Sequence, residues 1–132
     1  MHGALRKVLF AKIHAATVTE ANIEYEGSIT IPEDILGRTG LLPNEAVSVW
    51  NITTGSRFET YILRGEQYCK QFCVNGAAAH LVSPGDRVII AGFVMLPHEQ
   101  AVKHTPTVLF MGSDNSIKDI RDERPRTKAV GM

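Results

Sequence analysis

Net charge of either sign is absent from this chain, in which fourteen Lys and Arg balance fourteen Asp and Glu. Without a field to gather polyanions or anionic lipid, nucleic-acid and membrane-surface partners are poor assignments, and neither is expected. Long apolar runs are missing too. Val88 to Leu96, interrupted by Gly92, falls far short of the ~20 residues that cross a bilayer. Near the start, Arg6 and Lys7 precede only Val8-Leu9-Phe10-Ala11 before Lys12 intervenes, which is not the apolar core of a secretory signal. Cysteine is scarce. Cys69 and Cys73 lie four apart in a stretch that reads as a strand, where their Cα atoms would stand about 13 Å apart, too far for a disulfide. A reduced, cytoplasmic protein is the expectation.

Metal-binding patterns are equally thin. His98-Glu99-Gln100-Ala101-Val102 starts like a zinc helix but carries Val where the second His would lie one turn later. His14, His80 and His104 show no ligand spacing, and the two cysteines lack a second pair, so no metal is expected. No glycine-rich phosphate loop occurs, and Gly112-Ser113-Asp114-Asn115-Ser116 lacks the alternating ligands of a calcium loop.

What the chain does have is material for one core: 132 residues, 44% of them hydrophobic, suit a single domain without metal or disulfide staples. β-branched and apolar segments recur between turn residues, the pattern of a barrel or sandwich of short strands. Strands are expected at Arg6–His14, Ile29–Ile31, Ala46–Asn51, Phe58–Leu63, Gln71–Val74, Arg87–Met95 and Thr107–Met111. Short helical turns fit Pro32–Arg38, with Pro32 at the first helical position and Gly40 at the exit, and Ala77–Leu81. The domain is expected to span 1–115. From Ser116 the pattern dissolves into alternating charge, so 116–132 reads as a disordered tail.

One internal echo ties distant segments together. Leu42-Pro43-Asn44-Glu45-Ala46-Val47-Ser48-Val49 resembles Ser83-Pro84-Gly85-Asp86-Arg87-Val88-Ile89-Ile90 at an offset of 41 residues. Two copies are too few for a solenoid, whereas a duplicated unit folding back on itself closes a small barrel. Ordinary turn chemistry, Pro-x-acid before a strand, accounts for the echo equally well.

The segment Tyr25-Glu26-Gly27-Ser28 is a polar turn between strands and by itself carries no chemistry. Its company changes that. Upstream stand Lys12-Ile13-His14 and Ala16 to Ile23; downstream stand Trp50-Asn51, Arg57-Phe58-Glu59-Thr60-Tyr61 and Val74-Asn75-Gly76-Ala77-Ala78-Ala79-His80. In that order and spacing the chain, from about Leu5 to Met111, resembles the aspartate 1-decarboxylases, pyruvoyl enzymes that make β-alanine for pantothenate synthesis.

The resemblance implies a mainly β fold, a small six-stranded double-psi β-barrel with short helices. It also implies an inactive precursor that cuts itself between Gly27 and Ser28, giving chains 1–27 and 28–132 that stay in one barrel. The Ser28 hydroxyl would attack the preceding carbonyl, turning amide into ester. β-Elimination then leaves dehydroalanine, and hydrolysis leaves a pyruvoyl group as the cofactor, with no metal and no pyridoxal phosphate. Glycine at 27 would allow a strained turn where a side chain would clash. The family places the oxyanion donor at the position of Thr60.

In such enzymes the pyruvoyl carbonyl forms a Schiff base with L-aspartate and takes up the electron pair released with CO₂. Tyr61 matches the proton donor, since a phenol delivers a proton without first charging the pocket. Arg57 and Lys12 match the cations for the two carboxylates, with the partition between them open. Gly76, Ala77 and Ala78 match a substrate-binding segment together with Thr60, and small side chains there would let an anion approach backbone N–H groups. Asn75, His14 and Tyr25 are supporting candidates, Tyr25 for processing; a plain Asn-Gly turn explains Asn75 equally well.

Arg57 and Tyr61 share a strand face that excludes Thr60. A bulge or a site shared between subunits would reconcile them, and the family's homotetramer, with sites at subunit boundaries, favours the second. A maturation helper is left open. Two rivals stand beside this reading: a noncatalytic double-psi barrel that binds peptide or protein, and a glutamate decarboxylase. Pro32 departs from the acidic residue expected of most relatives.

Overall fold

The computed structural model describes residues 3–122. Alternation builds its first strand, β1 (Leu5–Thr17): Ala11 and Ile13 are buried, while Lys12 and His14 turn to the other side. Register shifts after Leu9 and Ile13, the second at Ala15 in the left-handed region (φ 66°), bend the strand. The bend continues through Val18 and Thr19 into β2 (Glu20–Asn22). There follow β3 (Ser28–Pro32), α1 (Glu33–Thr39), β4 (Ala46–Asn51), β5 (Arg57–Gly65), β6 (Cys73–Asn75), a 3-10 helix at Gly76–Leu81, β7 (Arg87–Pro97), α2 (His98–Ala101), β8 (Thr107–Met111) and β9 (Ile117–Asp122). No helix among the described residues is long and apolar enough to cross a membrane.

Among the described residues nine strands run in the order β2-β6-β3-β5-β4-β7-β1-β8-β9. Because β2 continues β1, the sheet closes on itself. β1 pairs antiparallel with β7, then β2 pairs parallel with β6. At the junction Val18 N donates to Asp86 O (2.9 Å) and Thr19 N to Phe72 O (2.9 Å), so the chain changes neighbours without losing backbone bonds. Counting β1 with β2 as one bent member, β3, β4, β5, β6 and β7 complete the expected six-stranded barrel. Ile13, Ile29, Val49, Ile62, Val74 and Ile90 fill its interior and are wholly removed from solvent. β8 lies parallel to β1 outside the ring, and β9 pairs antiparallel with β8. The last strand corrects the expected tail. Residues 117–122 are sheet, the domain runs past 115, and the rest of the expected tail, 123–132, lies outside the described residues.

The echo has a structural counterpart. Glu45 Oε1 accepts from Leu42 N (2.9 Å), and Asp86 Oδ2 accepts from Ser83 N (2.9 Å). Asn44 and Gly85, between them, both have positive φ, and the strands that follow, β4 and β7, pair antiparallel. α1 starts one residue later than expected: Pro32 ends β3 and caps the helix, whose first turn holds Glu33 and Asp34 near the positive end of the helix dipole. Gly40, left-handed at φ 79°, ends it with its N–H on Leu36 O (2.9 Å). Cys69 lies in the loop before β6, and Lys70 beside it is left-handed, so 69–73 is not the extended strand expected; both thiols are free.

Candidate active site

Strand pairing sets one row of polar side chains on the outside of the barrel wall. Ile29 and Ile62 are partners in the parallel pair β3–β5 and face inward, so the preceding residues, Ser28 and Tyr61, both face outward. Across β3's other edge Ser28 is opposite Asn75 of β6. The turn of residues 24–27 arches over this row, which explains how an outward-facing Ser28 is 0% exposed. Asn75 Nδ2 donates to Ser28 Oγ at 3.0 Å and to Thr30 Oγ1 at 3.3 Å, while Ser28 Oγ donates toward Glu26 O at 3.4 Å. Glu24, Tyr25, Glu26, Ser28, Tyr61, Leu63 and Asn75 line a cavity of about 390 Å³ here. Tyr25 is otherwise 67% exposed.

The glycines of this turn divide the work differently from the sequence-based expectation. A Cβ at Gly27 would meet nothing nearer than Asn75 O at 3.9 Å, an ordinary contact, so no clash at that position excludes a side chain. Gly76 is the constrained residue. Its φ is +72°, and a Cβ there would sit 2.4 Å from both Gly27 Cα and Gly27 N and 2.9 Å from Tyr25 O. The Gly27-Ser28 turn therefore rests on the naked backbone of Gly76.

One chain assembles Ser28, Tyr61, Asn75 and Tyr25, with Gly27 and Gly76 in contact beside them; the other candidates lie elsewhere. Arg57 shares Tyr61's face but is four residues along β5, about 13 Å at strand spacing, and its guanidinium stacks 4.6 Å over the Trp50 ring. Thr60 is opposite buried Val47, on the inward face. The β4–β5 register is unbroken, which removes a bulge as the way to reconcile Thr60 with Tyr61. Lys12 is on β1, separated from β5 by β7 and β4, three inter-strand steps or roughly 14 Å. His14, on the same face as Lys12, packs its ring 5.5 Å from Phe110. Ala77 and Ala78 follow Gly76 in the 3-10 helix but do not line the cavity.

Electrostatically the cavity holds two acids, Glu24 and Glu26, and no cationic side chain among its described lining residues. Burial, then the hydrogen bond to Glu20, pushes the Cys73 thiol up. Hydrogen bonds from Ser116 lower Asp114, and one from Arg121 lowers Asp119; both are exposed surface acids. Among the described residues no group of His, Cys, Asp and Glu could hold a metal ion. His104 has a structural task, its Nε2 sitting 2.8 Å from Leu9 O.

The aspartate decarboxylase family model matches residues 4–118. This chain belongs to the aspartate decarboxylase family. Over 121 residues it is 55% identical to the aspartate 1-decarboxylase of Legionella pneumophila strain Lens, covering 92% of this chain and 91% of that one. It is 48% identical to the enzyme of that name from Anoxybacillus flavithermus, covering 91% and 94% of the two chains. With that of Rhodopirellula baltica it shares 45% identity over 89% of this chain and 76% of that one.

Within this aspartate decarboxylase chain the structure adds residues that sequence reasoning missed. Thr30 shares Asn75's amide with Ser28, and Glu24, Glu26 and Leu63 help line the cavity. Thr30 stands two residues from Ser28 on the same strand face, and that spacing is the one signal in the sequence that could have found it.

Proposed function

We propose that this chain decarboxylates L-aspartate to β-alanine and CO₂, supplying β-alanine for pantothenate, after cutting itself between Gly27 and Ser28 to leave a pyruvoyl group at position 28. The observation that carries this reading is the buried Ser28 hydroxyl held by Asn75 in a cavity that also takes Tyr61. The surroundings fit such a group: Asn75 offers an N–H donor at position 28, and the missing Cβ of Gly76 leaves room for the turn. When present, the pyruvoyl carbonyl supplies the electron sink that ordinary side chains lack.

The chain's own residues do the remaining work. Asn75 donates to the Ser28 oxygen and so favours the charge that builds there as its proton leaves. Tyr61 holds a phenolic proton at Oη on the same face and serves as the donor to the substrate carbon. The substrate's two carboxylates need cations that the cavity of one chain does not supply, since its charged lining is Glu24 and Glu26. Outward-facing Arg57 and Lys12, contributed by neighbouring copies, would meet that need, in keeping with a homotetramer that has its sites at subunit boundaries. Both cysteines are free, consistent with our placing the enzyme in the cytoplasm.

The test is intact-mass analysis of the purified chain together with product analysis from L-aspartate and L-glutamate. Two fragments divided at Gly27 and Ser28 are expected, with β-alanine as product. Ser28→Ala should stay whole and inactive. Tyr61→Phe should be cut yet turn over about 10²–10⁴-fold more slowly, the usual worth of a positioned acid. An uncut chain that still decarboxylates aspartate would refute the proposal, and a product from glutamate alone would reassign the substrate.

A further inference from the structure

The amide nitrogen of Asn75 donates to two hydroxyl oxygens, Ser28 Oγ at 3.0 Å and Thr30 Oγ1 at 3.3 Å. Ser28 points its own hydroxyl proton toward Glu26 O at 3.4 Å, so the lone pairs of Oγ are what it presents to Asn75. An amide with a single partner is loosely held, because its terminal torsion is broad and two-fold. A second acceptor on the same strand face fixes the plane of the amide and thereby the direction of the first bond.

Thr30 is itself held in one rotamer from the opposite side. A Cβ at Gly65 would lie 3.0 Å from the Thr30 methyl carbon and 3.3 Å from Ile31 O, so the methyl and the neighbouring backbone of β3 together occupy the space that the glycine leaves on β5. With the methyl against β5, the hydroxyl is turned toward β6 and Asn75. β-Branching makes that choice stiff. Gly65, Thr30, Asn75 and Ser28 thus form a chain of contacts across β5, β3 and β6.

We propose that Thr30 is a positioning residue for self-cleavage, acting through Asn75 to aim an N–H at the Ser28 oxygen. This rests on the reading of Ser28 as the processing nucleophile. Nothing in the proposal requires Thr30 to touch substrate.

The experiment follows the self-cleavage of full-length chains by intact mass, from synthesis onward. Thr30→Val keeps the shape and removes the acceptor, and should slow cleavage about tenfold, the effect of one misdirected hydrogen bond on a barrier. Thr30→Ser keeps the hydroxyl and should restore most of the rate, which a purely space-filling role for Thr30 would not produce. Gly65→Ala should also slow cleavage, and adding Thr30→Ser, which relieves the 3.0 Å contact with the methyl but not the 3.3 Å contact with Ile31 O, should recover part of the rate. The Gly65 pair decides the matter if the valine variant fails to fold. Thr30→Val cutting within about twofold of the parent rate overturns the proposal, as does a Gly65→Ala chain slowed equally with and without the added Thr30→Ser. An uncut parent chain would instead bring down the reading of Ser28.

Discussion

Replacing Gly76 by Ala tests the close approach on which the Gly27-Ser28 turn rests. The new Cβ would begin 2.4 Å from Gly27 Cα and N and 2.9 Å from Tyr25 O, all backbone atoms that cannot rotate aside. Two costs add. Holding alanine at φ +72° costs roughly 1–2 kcal/mol, and overpacking a tight contact typically costs about 1–3 kcal/mol. The expected loss is therefore ~2–5 kcal/mol. Carbon atoms rest at about 3.5 Å or beyond, so the alternative is a turn displaced by about 1 Å, and such misplacement of reacting groups costs about 10²-fold in rate. Urea unfolding would measure the first in a Ser28→Ala background, in which the proposed self-cleavage is blocked, and a cleavage time course the second in the Gly76→Ala chain alone. Gly85→Ala is the control: φ is +96° but nothing lies within 4 Å of its Cβ, so only the backbone cost of ~1–2 kcal/mol applies. If Gly76→Ala loses no more stability than Gly85→Ala and is cut at the parent rate, the account of this contact is wrong.

Two further outcomes follow from the fold. Asp86→Ala should cost about 1–3 kcal/mol, because Asp86 Oδ2 accepts both Ser83 N and the buried Asn51 Nδ2 (2.8 Å). Its counterpart Glu45→Ala, which loses one exposed bond to Leu42 N, should cost less than about 1 kcal/mol by the same denaturant assay; equal losses would contradict the difference in burial. Burial and then the Glu20 carboxylate raise the Cys73 thiol, so less thiolate is present at a given pH and alkylation of Cys73 should rise only at high pH. Glu20→Gln removes a hydrogen bond to a carboxylate and a negative charge, and should move that pH profile downward. Peptide mass analysis after timed alkylation would show it, and an unmoved profile would refute the assignment.

How much of this was legible beforehand varied with what holds each element. β4 and β8 have the expected ends, because apolar alternation defines the first and a short apolar run between Pro106 and Gly112 the second. β2 was invisible: three residues after a bend, with Glu20 exposed, carry no period. β9 read as tail because Lys118 to Asp122 alternate in charge and hold little apolar material, yet backbone pairing to β8 and Arg121 stacked 4.5 Å over Phe110 keep it in the sheet. Ser28, Tyr61 and Asn75 were reached through resemblance, and the register explains why they meet. The tasks of Thr30 and Gly76 depend on which strand or turn lies alongside, and no spacing within one segment encodes that. Lys12 and Arg57 illustrate the reverse case, residue types suited to a dicarboxylate that one chain keeps apart.

The bent member formed by β1 and β2 lies wholly upstream of Ser28, and it is laced to β7 and β8 along its first length and to β6 along its second. A break at residue 27 would free one end of that piece while leaving both of its seams sewn. Scission and dissociation are thereby uncoupled. The wound would relax only the arch over Ser28, and the severed stave would go on holding the cask shut.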